Sequence, residues 1–283
     1  SGEMLDESIF IFDFDGTLYQ GEEISRTFLH CVLEEIGRED LFATAWETAQ
    51  LISSGDHGCR VGGYFPLTDP PGAWFSSRVQ DYARHLKGIA TAGDGTAQDG
   101  FPVPGAGSHR IGDGWGVVFA VAEPLVADIT VFHRSFRKMR QRVASSPSPL
   151  PGEARLRDTL QRLRADHRLI LFSNSLSGPD ANALLDRLGI EDLFHEVRFE
   201  AGKPQGMKER IRGLTEDTGV SPESVVSIGD HPWNDLYPAW EAGAHTVLVS
   251  PYADLDRPEW SHRVAGIEEL LTLLAEEWAL GAA

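Results

Sequence analysis

Cysteines, basic residues and long apolar runs are all scarce in this sequence. Its two cysteines, Cys31 and Cys59, are too far apart for a Cys-x-x-Cys motif, so we expect neither a structural disulfide nor a zinc site. No segment approaches the roughly eighteen continuous apolar residues of a membrane span, and the first residues include no basic stretch followed by an apolar one. We therefore expect a cytoplasmic protein that does not bind a membrane.

Acidic residues outnumber basic ones by 43 to 25, which gives a formal net charge of -18. Affinity for nucleic acid comes largely from Lys and Arg side chains that displace counterions, so we expect no nucleic-acid partner. A small anionic substrate is still compatible with this charge, because a bound metal ion and one or two well-placed cations set the local field. With 283 residues, of which 41% are hydrophobic, the chain can bury a large core.

Short apolar segments with the composition of β-strands alternate with segments of helical spacing. The predicted strands are residues 8–12, 169–172, 197–199, 224–228 and 246–249. The predicted helices that separate or follow them are residues 151–165, 179–188, 205–218, 235–242 and 266–280. This alternation predicts an α/β fold with a doubly wound parallel sheet and helices on both faces. In such sheets, ligands bind beyond the carboxyl ends of the strands.

A long insertion separates the first predicted strand from the second, where α/β units usually have a connection of a few residues. Helical spacing within it predicts helices at residues 26–36, 40–52, 75–86 and 127–143. Residues 88–116 are rich in glycine and predict an extended loop or a few short strands. We therefore predict a catalytic core formed by residues 4–19 and 151–283 and an inserted, mainly helical domain formed by residues 20–150.

Two aspartates, Asp13 and Asp15, follow the first predicted strand directly. In an extended chain, side chains at positions i and i+2 lie on the same side, so both carboxylates would face a group at the strand's end. Asp13 could attack a phosphoryl group and carry it as an aspartyl-phosphate, while Asp15 could protonate the leaving oxygen and then activate water. The simpler interpretation is an acidic turn that merely ends a buried strand.

A serine and a lysine at later strand ends supply the other groups that phosphoryl transfer needs. The Ser173 hydroxyl could donate to a phosphoryl oxygen, although serine is also common in turns. The Lys203 ammonium, just before Pro204, could neutralise both the nucleophile and the phosphate. Lys208 is the competing candidate, and a solvated loop lysine is the default interpretation of either.

Residues 227–235 contain a strand end with two further carboxylates. Asp13, Asp230 and a main-chain carbonyl would form an incomplete all-oxygen shell, which suits Mg²⁺. The carbonyl is that of Phe14, with the Asp15 carbonyl as the alternative. We expect Asn234 and Asp235 to orient this shell or hold Lys203, although Asp235 could instead cap the following helix.

Together, these segments closely resemble the motifs of the haloacid dehalogenase-like (HAD) hydrolase superfamily. The matching segments, in order, are residues 13–17, 173–174, 202–204 and 229–235. The resemblance implies a Rossmann-like core, Mg²⁺ as cofactor and an aspartyl-phosphate intermediate on Asp13, with Ser173, Asn174 and Lys203 contacting the substrate. It also implies that the insertion is a C1-type cap. Members that resemble dehalogenases usually lack the second aspartate, so Asp15 indicates phosphorus chemistry.

We therefore expect a Mg²⁺-dependent phosphatase that acts on a small phosphorylated metabolite. Two alternatives with the same fold are a phosphomutase and a phosphonate hydrolase, the latter requiring one of the two cap lysines, Lys87 or Lys138, to form a Schiff base. An alternative of another class is a ligand-binding or regulatory protein that performs no chemistry. The sequence does not distinguish a monomer from a homodimer, and it does not identify the substrate.

Overall fold

The computed structural model describes residues 7–89, 107–252 and 259–279. Its strands, numbered in chain order, are β1 Ile9–Phe12, β2 Tyr64–Pro66, β3 Ser108–Arg110, β4 Arg168–Phe172, β5 Glu196–Arg198, β6 Val225–Gly229, β7 His245–Val249 and β8 His262–Val264. Its α-helices are α1 Glu22–Glu35, α2 Phe42–Ser54, α3 Val79–Ile89, α4 Gly114–Ala122, α5 Thr130–Ser145, α6 Glu153–Asp166, α7 Pro179–Leu188, α8 Gln205–Thr218, α9 Tyr237–Glu241 and α10 Ile267–Glu277.

The described residues fall into two compact units. The first unit takes those within Ser1–Gly21, Ala144–Pro251 and Pro258–Ala283, and the second takes those within Glu22–Val143 and Tyr252–Arg257. The first unit therefore combines the beginning of the chain with its second half. Tyr252 groups with the second unit, although we expected it in the core.

The first unit contains one parallel sheet with the strand order β5-β4-β1-β6-β7-β8. Strand β1 lies in its middle, with Ile11 opposite Ile170 of β4 and opposite Ser227 of β6. The predicted α/β fold with a doubly wound parallel sheet is thereby confirmed. Because parallel strands end at the same edge of a sheet, the residues after β4, β1 and β6 are neighbours.

Strand β1 is buried on both of its faces, as expected for the centre of a sheet covered by helices. Ile9 and Ile11 belong to an apolar cluster that includes Met207 and Ile211 of α8. On the opposite face, the Phe10 ring packs edge-on against Trp278 and the Phe12 ring against Phe194, with ring centroids 5.3 and 6.1 Å apart. Burying each such side chain contributes about 1.5–3 kcal/mol, so β1 is held rigidly where it reaches the site.

Two elements of the first unit differ from the prediction. Strand β8 was not predicted, because it has only three residues and lies at the sheet edge, where His262 and Arg263 give it no apolar pattern. The helix expected at residues 235–242 is a π-helical turn, Pro232–Leu236, followed by α9. Such turns are rare and occur often at functional sites.

The second unit is mainly helical, with β2 and β3 as an antiparallel pair. Helix α4 was not predicted, because its sequence Gly-Trp-Gly-Val-Val-Phe-Ala-Val-Ala is apolar nearly throughout and has no amphipathic period. The Asp113 side chain begins this helix by accepting a hydrogen bond of 2.8 Å from the Gly116 N–H. Of the glycine-rich segment 88–116, residues 90–106 lie outside the described residues, and the remainder includes β3.

None of the helices within residues 7–89, 107–252 and 259–279 has both the length and the apolar character that a membrane crossing requires.

Candidate active site

The central strand β1 ends directly at two buried aspartates. Asp13 still belongs to the sheet, because its main-chain N–H donates to the Ile228 carbonyl of β6 over 2.9 Å. Gly16 then has a φ of 81°, a left-handed conformation that glycine adopts without strain, and the chain turns back. Asp13 and Asp15 are both less than one-tenth exposed, so their carboxylates need partners within the protein.

Lys203, in the loop between β5 and α8, is one of those partners. Its Nζ atom lies 3.0 Å from Asp13 Oδ1 and 2.5 Å from Asp235 Oδ1, and its side chain is only 2% exposed. The competing candidate, Lys208, instead forms a surface ion pair of 3.0 Å with Glu241. Lys203 is therefore the lysine that the fold brings to the Asp13 carboxylate.

The groups around Asp13 act on its pKa in opposite directions. Burial raises its pKa to about 6, and the nearby charge of Asp235 acts in the same direction, whereas Lys203 and a hydrogen bond with Asp230 lower it. For Lys203, burial lowers the pKa, but Asp13 and Asp235 outweigh it and leave the pKa above its ordinary value. The Asp13 carboxyl therefore ionises closer to neutral pH than an ordinary aspartate does, while Lys203 stays an ammonium group.

Three carboxylates form a cluster beside this ammonium group. One oxygen atom each of Asp13, Asp230 and Asp235 lies within 4.8 Å of the other two, and no second His, Cys, Asp and Glu cluster of this kind occurs among the described residues. Hard carboxylate oxygens at this spacing fit Mg²⁺. Because three carboxylates exceed the charge of one ammonium group, a divalent cation would also balance the cluster electrostatically.

The turn after Asp13 affects which main-chain carbonyl could bind a metal ion. The Phe14 carbonyl accepts hydrogen bonds from the N–H groups of Thr17, over 3.2 Å, and Leu18, over 3.0 Å. A carbonyl oxygen has two lone pairs, and the turn engages both of them. This arrangement disfavours the Phe14 carbonyl as a metal ligand.

Three hydroxyl groups surround the Asp15 carboxylate. The Tyr19 hydroxyl donates to Oδ1. On the other side, Ser175 Oγ donates to Oδ2 over 2.7 Å, and Ser173 Oγ lies 3.3 Å from the same oxygen. Ser173 is thus placed between Asp15 and the end of β4. The two serine hydroxyls are themselves 2.7 Å apart, so they form one hydrogen-bonded chain with the carboxylate.

Asn174 contacts the main chain of Lys203 through both polar atoms of its amide. Its Oδ1 accepts from the Lys203 N–H over 2.6 Å, and its Nδ2 donates to the Lys203 carbonyl over 3.0 Å. This pair of bonds fixes the loop from which the ammonium group projects. The geometry therefore favours a positioning role for Asn174 over the substrate contact that we expected.

The loop after β6 is arranged around Asp235. Its Oδ2 accepts from the His231 N–H over 3.2 Å, and its main-chain carbonyl accepts from the Ser227 hydroxyl over 2.7 Å. Asp235 does not cap the following helix α9, whose N-cap residue is Leu236 and which has no side-chain cap hydrogen bond. At the start of the π-helical turn, His231 Nδ1 accepts the N–H of Asn234. The Asp235 side chain lies so close to Gly229 that a Cβ atom on Gly229 would be 2.1 Å from Asp235 Oδ2. Only glycine therefore fits at the end of β6.

Most of the predicted site residues meet at this edge of the sheet. Those that lie there are Asp13, Asp15, Ser173, Lys203, Asp230 and Asp235, while Asn174 and Asn234 contribute to the loops beside them. The polar side chains that sequence reasoning missed are Thr17, whose hydroxyl is 3.2 Å from Asp13 Oδ2, Tyr19, Ser175 and His231. The spacing of Ser175, two residues after Ser173, was the one available signal for this group.

Comparisons with known proteins agree on the fold. A family model for haloacid dehalogenase-like hydrolases matches residues 8–243. Among curated proteins, phosphatidylglycerophosphate phosphatase 1 of Arabidopsis thaliana, a chloroplastic and mitochondrial protein, is 29% identical over 132 residues. That alignment takes in 44% of this chain and only 35% of the Arabidopsis protein, so the chain spans about a third of the length of that relative.

Solved structures with the same fold cover nearly the whole chain. The magnesium-bound protein YfnB of Bacillus subtilis has a TM-score of 0.51 and 17% identity, and the match covers 95% of this chain and 99% of that one. A predicted phosphoglycolate phosphatase from Haemophilus somnus has the same TM-score and identity, over 96% of this chain and 99% of its own. At such identities, the likeness concerns the fold alone.

Proposed function

Because this chain belongs to the haloacid dehalogenase-like hydrolase family, we propose that it is a Mg²⁺-dependent phosphatase that hydrolyses a small phosphorylated metabolite. The observation that carries the proposal is the buried ammonium group of Lys203, which lies between Asp13 and Asp235 beside a third carboxylate. A nucleophile, a cation and an oxygen-only metal cluster are what phosphoryl transfer requires. The phosphatase activity named for the Arabidopsis relative also supports it.

In the proposed reaction, an Asp13 carboxylate oxygen attacks the phosphorus atom, and the bond from phosphorus to the ester oxygen breaks. Asp15 gives its proton to that leaving oxygen, which departs as an alcohol. Water then attacks the phosphorus atom of the aspartyl-phosphate and gives a proton to Asp15, so that Asp13 and inorganic phosphate are released. Lys203 and the Ser173 hydroxyl hold the phosphoryl oxygens throughout, and their charge and dipole are already in place before the reaction begins.

We propose that Asp13, Asp230 and the Asp15 carbonyl hold the Mg²⁺ ion, with Asp235 completing the acidic cluster. When bound, the ion supplies positive charge to the phosphoryl oxygens. The residues fit this ion because all the donors are oxygen atoms. Asp235 also holds the lysine, since one of its oxygens is 2.5 Å from Lys203 Nζ.

For the inserted residues, we keep the proposal of a C1-type cap that excludes water and recognises the leaving group. A cytoplasmic location is likewise a prediction.

The alternative of a phosphonate hydrolase is weakened at one of its two candidate lysines. Its Schiff base needs a neutral lysine, and one of the two candidates, Lys138, forms an ion pair of 2.5 Å with Glu35, which also binds Arg134 over 2.7 Å. This ion pair holds the Lys138 side chain at Glu35. Lys87 therefore remains the lysine that borohydride trapping should test for this rival.

The proposal is tested by the release of inorganic phosphate from a panel of sugar, nucleotide and small-acid phosphates, with Mg²⁺ present. We expect at least one good substrate and a loss of about 1,000-fold or more in kcat for Asp13→Asn. Asp192→Asn is the matched control, because Asp192 pairs with Arg157 on the surface of the same unit.

Three outcomes would contradict the proposal or a part of it. Near-normal turnover by Asp13→Asn would refute the nucleophile. Transfer of the phosphoryl group to a second hydroxyl, without release of phosphate, would identify a phosphomutase. Failure on the whole panel would favour a binding or regulatory protein.

A further inference from the structure

Tyr19 is held in place by a ring contact, a main-chain hydrogen bond and a hydrogen bond from its hydroxyl. It is fully buried, and its ring contacts the Phe14 ring edge-on, with centroids 5.1 Å apart. Its main-chain carbonyl accepts from the Gly16 N–H over 3.0 Å, which closes the turn after Asp15. The phenol group is therefore held in one place from two directions. From this position, the Tyr19 hydroxyl donates a hydrogen bond to Asp15 Oδ1.

The opposite oxygen of Asp15 depends on serine hydroxyls, and these have a second possible use. Each hydroxyl has one hydrogen to donate. When Ser175 donates to Asp15 Oδ2, the Ser173 hydrogen can go to Ser175 or to a phosphoryl oxygen. A bound phosphate would thus draw Ser173 away from Asp15, whereas the bond from Tyr19 to Oδ1 is unaffected by substrate chemistry.

We infer that Tyr19 is a positioning residue for Asp15, which it holds in the orientation that delivers a proton to the leaving oxygen. This inference rests on the proposed phosphatase function. Asp has two rotatable side-chain bonds, and a proton donor is effective only when it is aligned with the leaving group.

The inference makes a specific kinetic prediction. An alkyl phosphate has a leaving oxygen that must be protonated as it departs, whereas dinitrophenyl phosphate releases a stable phenolate without help. Tyr19→Phe removes the donor and keeps the ring. We expect kcat/KM for an alkyl phosphate to fall by about 10- to 100-fold and that for dinitrophenyl phosphate by less than about threefold. The ratio kcat/KM is used because it reports the step in which the ester bond breaks.

Two further variants separate positioning from a general structural effect. Tyr82 is also buried, and its hydroxyl donates to the Val121 carbonyl, so Tyr82→Phe is the matched control and should lower both rates equally or not at all. In an Asp15→Asn background, Tyr19→Phe should cause no further loss, because residues that act as one unit are not additive. Ser175→Ala provides a second test at the other oxygen and should also lower the alkyl rate selectively.

Each result decides the matter. Equal losses on both esters, no loss on either, or a full loss that persists in the Asp15→Asn background would overturn the inference while leaving the phosphatase proposal intact. If Tyr19→Phe fails to fold, Tyr19→Met, which also lacks the hydroxyl, takes its place, and equal losses on both esters there overturn the inference. Should the unmodified protein release phosphate from neither ester nor from any member of the panel, the proposed function itself fails.

Discussion

Lys203 and Asp235 form an ion pair with 2.5 Å between Nζ and Oδ1, and the two side chains are only 2% and 1% exposed. The other Asp235 oxygen accepts the His231 N–H over 3.2 Å, so this aspartate joins the lysine to the loop after β6. The lysine itself comes from the loop after β5, an outermost strand that β4 and β1 separate from β6. Buried charges persist only when they are paired, and this pair therefore couples stability to the proposed chemistry.

Replacing Lys203 with methionine should damage both stability and activity. Two buried carboxylates then lose their cation, and we expect the free energy of unfolding at pH 8 to fall by about 3–5 kcal/mol. Phosphate release should fall by about 100-fold or more, because the charge that stabilises the transferred group is gone. Urea denaturation at pH 5 should show a smaller loss than at pH 8, since Asp13 can take up a proton at the lower pH.

The matched control is Lys208→Met, in which a half-exposed ion pair with Glu241 is lost. We expect a change in stability of about 0–1 kcal/mol and unchanged activity. Equal effects of the two substitutions would contradict the assignment of Lys203.

Gly229 offers a test of how closely Asp235 must be placed. In Gly229→Ala, the new Cβ atom would lie 2.1 Å from Asp235 Oδ2, so the carboxylate must move. Moving the Asp235 carboxylate away from its present position should lower kcat by about 10- to 100-fold. Gly213→Ala, inside α8, makes an ordinary contact of 3.6 Å and should stabilise the protein by about 0.5–1 kcal/mol without loss of activity. Full activity of Gly229→Ala would show that the reaction does not depend on the position of the Asp235 carboxylate.

Asn174→Ala distinguishes positioning of Lys203 from contact with substrate. It removes two hydrogen bonds to the Lys203 main chain, for which we expect a loss of about 1–3 kcal/mol in the free energy of unfolding. A misplaced ammonium group should lower kcat by about tenfold with little change in KM. A raised KM at constant kcat would instead identify Asn174 as a substrate ligand, as the sequence suggested.

Binding of Mg²⁺ should depend on pH through Asp13. Because burial raises the pKa of this carboxyl to about 6, the ion must displace a proton from it in mildly acidic solution. We expect the affinity to decrease by up to about tenfold per unit below pH 6 and to be nearly constant from pH 7 to 8. Calorimetry in buffers of different ionisation enthalpy would detect proton release at pH 5.5. Constant affinity across this range would show that Asp13 is not a ligand.

The same pKa predicts how the stability of the metal-free protein depends on pH. Asp13 has an ordinary pKa of 3.8 when unfolded and about 6 when folded, so between these values the folded state binds the proton more tightly. Its contribution to the free energy of unfolding is therefore fully present below pH 3.8 and is lost as the pH rises to about 6. Asp13→Asn should lack this decline. Urea denaturation of both proteins from pH 4 to 7 would measure the difference.

The parallel sheet could be predicted because buried strands in the middle of a sheet are apolar on both faces, and Ile9 to Phe12 is such a run. The five strands predicted from apolar runs are present, with ends displaced by one residue in most cases. Strand β8 and helix α4 could not be predicted. The first has no apolar pattern, and the second is apolar on all sides and thus has no period to detect.

The site was predictable to the extent that strand ends identify it. Asp13, Ser173 and Asp230 each follow an apolar strand, and β4, β1 and β6 are adjacent, so one edge of the sheet collects all three side chains. Tyr19 and His231 gave no signal, because their roles depend on turns that bring a hydroxyl and an imidazole nitrogen back to a carboxylate and an N–H group.

Local residue patterns were sufficient for the class of fold, the central strand and the chemical type of the groups at its end, because apolar runs and the carboxylates after them are properties of short segments. Which lysine reaches Asp13, whether the Phe14 carbonyl is available and what surrounds Asp15 were decided by the folded chain. These are contacts between residues up to 190 positions apart, and burial then sets the pKa of Asp13. Desolvation and pairing of charges act only once the chain has closed around them.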